Sequence, residues 1–286
     1  MLIPRRTFLA KAWAMTWLSA IGVLLPSSPV KAQTLTKPKH LEDALLLLEG
    51  LGSRWENNNY QHGKPNVTWK GINGAADYVS QTDCSGFMSK LLQHSYGDYF
   101  TEERFKQWME KKRSRPLAED FHYAIITEKD FIQIEKITQV QPGDIIAIKY
   151  IPDSDPKTKD NTGHVMLVLE PPKKRDSTKP MVKKTLQWEV KVIDQSCSGH
   201  GKYDSRRKPD SSDNSQPDGD GLADNEQNNP CEPNKRFNDG LGKGTIRIYT
   251  NEDNDNILGY TWSTFKESHY YCPDEKDLVI GRLNFN

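Results

Sequence analysis

The 286-residue chain is short of three things, and each shortage excludes a class of protein. Its longest largely apolar run, Ala12 to Leu25, spans 14 residues, where a membrane-crossing helix needs about 20. It has four cysteines, too few for a disulfide scaffold. It also has no net charge, with 39 basic and 39 acidic side chains, so it lacks the basic excess by which nucleic-acid binders hold phosphates. Hydrophobic residues make up 35%, and a polar stretch between Ser196 and Gly244 lowers that share. The remainder is still rich enough for a real core.

What is present begins at the N-terminus. Arg5-Arg6 precedes the apolar run, and Val30-Lys31-Ala32 offers small residues at the two positions a signal peptidase reads. Residues 1–32 are therefore predicted to be a twin-arginine-type signal peptide, with the mature chain exported to the periplasm or beyond. An uncleaved N-terminal anchor is the alternative. Removing this segment takes away four basic residues, so the mature chain becomes acidic by four charges. No nucleic-acid partner and no transmembrane segment in the mature chain are expected. In an oxidising compartment Cys197 and Cys231, which flank the polar stretch, can pair, while Cys84 and Cys272 stay free.

Helical periodicity comes first along the chain and strand periodicity later. Residues 40–50, the segment from Cys84 and residues 102–112 read as helices. Strands are expected at 143–148, 164–169, 186–194, 245–250, 257–263 and 278–285. That order predicts an α+β fold with an antiparallel sheet of about five or six strands. Residues 33–286 are read as one domain, with 197–243 as a polar surface insertion and 60–81 as a loop.

The chemistry centres on Gln81–Gln93, QTDCSGFMSKLLQ. Phe87, Met88, Leu91 and Leu92 form an apolar stripe, and Asp83 or Ser85 can cap the first turn. Cys84 then stands at the positive end of the helix dipole, which favours its thiolate. A buried, inert cysteine is the competing reading. A nucleophile needs a base, and the base needs a third group to orient it. His164 opens an apolar strand directly after Gly163, whereas His40 and His62 lie beside loops as expected surface residues. Alternation in Leu186–Asp194 puts Asp194 on the face of Trp188, Val190 and Val192, where a carboxylate wants a partner. Gln195 and His200 are rivals for that third role, and a strand-end Asp capping a turn is the plain alternative.

These residues carry a resemblance. Asp83-Cys84-Ser85-Gly86-Phe87, then Pro142-Gly143-Asp144-Ile145 and Gly163-His164-Val165, resemble the nucleophile motif and histidine-bearing strand pair of the NlpC-type (new lipoprotein C) cysteine peptidases. The helix before Tyr60 is similar to that family's opening helix, with the tyrosine after it. The resemblance implies a papain-like fold and hydrolysis of amide bonds in peptidoglycan stem peptides. Cys84, His164 and Asp194 would be catalytic, and Tyr60, Asp83 and Ser85 would shape the turn and face the substrate. A catalytically silent wall-binding module, or an acyltransferase using the same triad, is the alternative.

Asp218–Asp224, DGDGLAD, resembles the Asp-rich calcium loops of thrombospondin-type repeats. It is a single copy with the composition of a solvated loop, and the chemistry proposed above requires no cofactor.

Overall fold

A computed structural model describes residues 37–151, 161–208 and 237–285. The predicted signal peptide, the calcium-like motif and Cys231 lie outside the described residues. The fold is mixed α+β. Helix α1 (Lys39–Leu51) buries His40, Leu41, Ala44, Leu47 and Leu51. Leu45 and Leu48 pack only partly, so the buried seam is rotated from a Leu41–Leu45–Leu48 stripe. Helix α2 (Cys84–Ser95) follows the expected stripe, with Phe87, Met88, Leu91 and Leu92 fully buried. At about 1.5–3 kcal/mol for each large apolar side chain, that stripe anchors α2 and fixes where Cys84 stands.

The expected helix at 102–112 shortens to α3 (Glu102–Lys106), although Phe105 and Trp108 are buried as anticipated. Trp108 instead turns its indole N–H onto Asp130 at 2.8 Å. A further helix, α4 (Ala118–Ile126), had no assignment from sequence. Asp120 starts it by accepting from the Leu117 N–H at 2.8 Å.

The stretch expected to be a loop contains a small sheet. In it β1 (Asn58–Tyr60) pairs parallel to β3 (Val79–Thr82), and β2 (Asn66–Thr68) pairs antiparallel to β3. These strands are too short and polar to announce themselves by alternation. The main sheet holds β4 (Phe131–Gln133), β5 (Ile145–Tyr150), β6 (Gly163–Val168), β7 (Lys173–Arg175), β8 (Thr185–Ser196), β9 (Gly240–Asn251), β10 (Ile257–Thr261) and β11 (Lys276–Leu283). Their order is β10-β9-β8-β6-β5-β11-β4, all antiparallel, with β7 added to β8. The sheet is therefore larger than the five or six strands expected. It curls until Lys136, just past β4, bridges Asn256 at the start of β10.

Curling gives the sheet two cores. The helices cover one face, against Ala147, Val165, Leu167 and Ile193. The other face encloses Ile146, Ile148, Met166, Val168, Val190, Val192, Ile246, Tyr260 and Trp262. Strand alternation assigns each residue to one core or the other. His164 and Asp194 fall on the second face, in step with Met166 and Val192.

The β6–β8 ladder is confined to Leu167–Ile193 and Val168–Val192. Beyond it the end of β8 is covered by residues 199–206, which the sequence reading assigned to a surface insertion. Both described ends of that insertion require correction. His200, Asp204 and Arg206 are buried, and β9 begins at Gly240 rather than after 243. Polar composition misled here because the buried polar groups satisfy one another.

Candidate active site

The site is assembled where β3, α2, β6 and the ends of β8 and β9 meet. β3 runs directly into α2, with Asp83 between them as N-cap. Asp83 Oδ1 accepts from the Gly86 N–H at 2.7 Å and from Ser85 Oγ at 3.1 Å. Its other oxygen is held by Arg115, which also donates to Ser85 Oγ at 2.8 Å. Asp83 and Ser85 are both buried and engaged in shaping the turn that presents Cys84. Tyr60 stands opposite Thr82 in the β1–β3 pair, its ring edge-on to exposed His62 at 5.4 Å. His40 departs from the expected surface position. It is buried, with Nε2 2.7 Å from the Gly143 carbonyl and Nδ1 2.9 Å from the Tyr96 hydroxyl.

The small sheet is locked to the large one by side chains reaching for backbone. Asn58 donates to the Leu241 carbonyl at 2.9 Å and accepts from the Leu241 N–H at 2.6 Å. Gln195 accepts from Ser80 Oγ at 2.7 Å and donates to the Asn59 carbonyl at 2.7 Å. Gln195 thus points away from His164 and fixes the strand that delivers Cys84.

His164 is placed by Gly163. That glycine has φ +136°, and a Cβ on it would lie 1.8 Å from the Ile148 carbonyl oxygen, so only glycine lets β6 start so close to β5. The His164 Nε2 is 2.7 Å from Asp194 Oδ2. Cys84, at the start of α2, is near enough for its charge to act on the same ring. Burial alone would lower the His164 pKa. The Cys84 charge and the bond and charge of Asp194 outweigh it and raise the value to about 10. Cys84 itself is 4% exposed.

Asp194 is fully buried and surrounded by donors. Burial would raise its pKa, but the charges of Arg206 and His200 and the bonds from His164 and His200 hold it well below the usual carboxylate range. His200 Nε2 is 2.9 Å from the same oxygen that His164 contacts, and Arg206 donates to the other at 3.0 Å. Arg206, also fully buried, donates to both oxygens of Asp204 at 2.9 and 2.7 Å and to the Gly240 carbonyl at 3.1 Å. Trp262 stands edge-on to His164, ring centres 5.4 Å apart.

Neither motif nor periodicity marks Asp204, Arg206, Arg115 or Trp262 in the sequence. A signal for the first two existed in Gly240-Leu241-Gly242-Lys243-Gly244. On β9, Gly242 faces Asp194 and Gly244 faces Val192. A Cβ on Gly242 would meet Arg206 Nε at 2.6 Å, and one on Gly244 would meet His200 Cβ at 2.6 Å. Glycine at every second strand position leaves one face bare, and a bare face beside a buried carboxylate has to be filled.

Cys197, just ahead of this segment, is disulfide-bonded, while Cys84 and Cys272 are free. His164, Asp194 and His200 also offer ligand atoms within 4.8 Å of one another, a set that could hold a metal ion. Their 2.7 and 2.9 Å contacts are hydrogen-bond lengths, and Arg206 already neutralises the carboxylate. No helix among the described residues is long and apolar enough to cross a membrane.

Uncharacterized protein R653 of Acanthamoeba polyphaga mimivirus is 34% identical to this chain over 253 residues, an alignment covering 87% of the chain and 97% of the viral protein. The chain belongs to the same family as that protein. No family model and no solved structure matches it.

Proposed function

We propose that the protein is a cysteine peptidase or amidase of papain-like arrangement, related to the NlpC-type enzymes, in which Cys84, His164 and Asp194 form the catalytic triad. The observation that carries this reading is His164, whose Nε2 lies 2.7 Å from the buried Asp194 carboxylate and whose ring feels the charge of Cys84 at the N-terminus of α2. A cysteine at a helix N-terminus, near an imidazole that favours its cationic form, has what a thiolate nucleophile needs.

In this mechanism the Cys84 thiolate attacks the carbonyl carbon of a peptide amide. The Gly86 N–H is taken by Asp83, but the N–H groups of Cys84 and Ser85 have no partner within the helix and can stabilise the oxyanion. The His164 imidazolium gives its proton to the leaving amine, and a thioester remains on Cys84. Water then attacks that thioester and gives a proton to His164, releasing a carboxylic acid and restoring the ion pair. Asp194 stays ionised throughout and stabilises the imidazolium.

The substrate class follows from the resemblance and the predicted signal. An exported enzyme of this kind meets peptidoglycan stem peptides as a source of amide bonds. The test is incubation of the mature protein and its Cys84→Ala variant with muropeptides, read by mass spectrometry. Cleavage by the parent alone supports the reading. No cleavage, together with Cys84 alkylation no faster than that of a free thiol, overturns it in favour of a silent binding module. Products carrying an added amine instead of water identify acyl transfer.

A further inference from the structure

We propose that His200 is a positioning residue for this reaction, fixing the Asp194 carboxylate so that Oδ2 faces His164; the inference rests on the triad reading above. His200 is 6% exposed and makes contacts through both ring nitrogens. Nδ1 lies 3.0 Å from the Trp262 carbonyl and Nε2 lies 2.9 Å from Asp194 Oδ2. The ring thus bridges two acceptor groups, the Trp262 carbonyl and the Asp194 carboxylate. The ring stacks on Trp262, centres 5.9 Å apart and planes 21° from parallel. Its backbone N–H donates to Asp204 Oδ2 at 2.7 Å. His200 is thus held from three sides and holds Asp194 in turn.

A two-atom contact between His164 and Asp194 does not by itself fix the carboxylate. Rotation about the Cβ–Cγ bond of Asp194 would carry Oδ2 away from His164. Arg206 on Oδ1 and His200 on Oδ2 restrain that rotation from opposite sides. The titratable and charged groups around His164 are Cys84 from α2, Asp194 from β8, and His200, Asp204 and Arg206 from the 199–206 segment. Lys276 of β11 stands beyond, 5.7 Å from the centre of the Trp262 ring.

Two variants test this. His200→Phe keeps a ring against Trp262 and removes both ring nitrogens. His200→Gln restores one donor near the position of Nε2. Muropeptide cleavage and the rate of Cys84 alkylation at pH 6 are measured on both, with near-ultraviolet circular dichroism to establish folding. We expect His200→Phe to lose ~10- to 100-fold in kcat with KM little changed, and to lose fast alkylation at pH 6, because His164 no longer holds the thiolate. His200→Gln should recover most of both.

A folded His200→Phe protein with parental alkylation and kcat overturns the positioning role while leaving the triad intact. Ordinary thiol reactivity in the parent overturns the triad and this inference together. If His200→Phe does not fold, His200→Asn replaces it, its shorter amide matching Nδ1 and stopping short of Asp194: loss of kcat and fast alkylation in a native fold supports the positioning role, and parental values of both overturn it.

Discussion

Gln195 and Ser80 are joined by a 2.7 Å hydrogen bond between the end of β8 and the middle of β3. Gln195 follows Asp194 in sequence, and Ser80 lies four residues before Cys84. The bond therefore ties the strand carrying Asp194 to the strand that leads into Cys84. Replacing Gln195 with Leu leaves the Ser80 hydroxyl and the Asn59 carbonyl without their partner, at a cost of about 1–3 kcal/mol. We expect a fall in Tm of several degrees, and slower Cys84 alkylation even at temperatures where the variant is folded.

Gly163→Ala tests the strand start. The new Cβ would collide with the Ile148 carbonyl, and φ +136° is strained for alanine. We expect a loss of more than about 1–3 kcal/mol and a displaced His164, seen as reduced Tm together with lost cleavage. Parental Tm and activity would show that β6 can begin elsewhere.

Arg206 lies between two buried carboxylates. Arg206→Met leaves Asp194 and Asp204 without their cation, at a cost of about 3–5 kcal/mol. The paired change Arg206→Met with Asp204→Asn removes opposite charges together and should be less damaging than Arg206→Met alone. Urea unfolding of the three proteins compares them, and equal losses would deny the coupling.

The pH dependence has a defined sign. The folded pKa of His164, about 10, lies above the ordinary 6.5. Its contribution to stability is present in full below 6.5 and is lost as pH rises through about 10. Asp194 is shifted the other way, so its contribution is present above 3.8 and is lost as pH falls through its depressed folded value. Tm should therefore decline toward both extremes. In Cys84→Ala the alkaline decline should begin at lower pH, because a major cause of the raised His164 value is gone. An unchanged alkaline limb would detach His164 from Cys84.

Zinc offers an independent probe of the cluster. His164, Asp194 and His200 can converge on one ion, but only by giving up their mutual hydrogen bonds. Added Zn²⁺ is expected to slow Cys84 alkylation, with recovery on chelation. Dialysis of the purified protein against a chelator should leave alkylation unchanged. Loss of alkylation on dialysis would instead identify a resident metal.

The sequence by itself determined the elements whose pattern is local. The α2 stripe, its Asp83 cap and the alternation of β5, β6 and β8 depend on residues two to four apart, and they put Cys84, His164 and Asp194 on identifiable faces. The glycine before His164 could be read as a close approach for the same reason. Tertiary structure alone decided what surrounds those residues. Gln195 and His200 looked equivalent in one dimension, yet the pleat sends Gln195 toward β3, and the fold of 199–206 returns His200 to Asp194. Asp204 and Arg206 looked like solvated loop because composition cannot show that two carboxylates, a guanidinium and an imidazole will satisfy one another out of water. That satisfaction is a property of three-dimensional placement, and it is what allows so polar a segment to be buried.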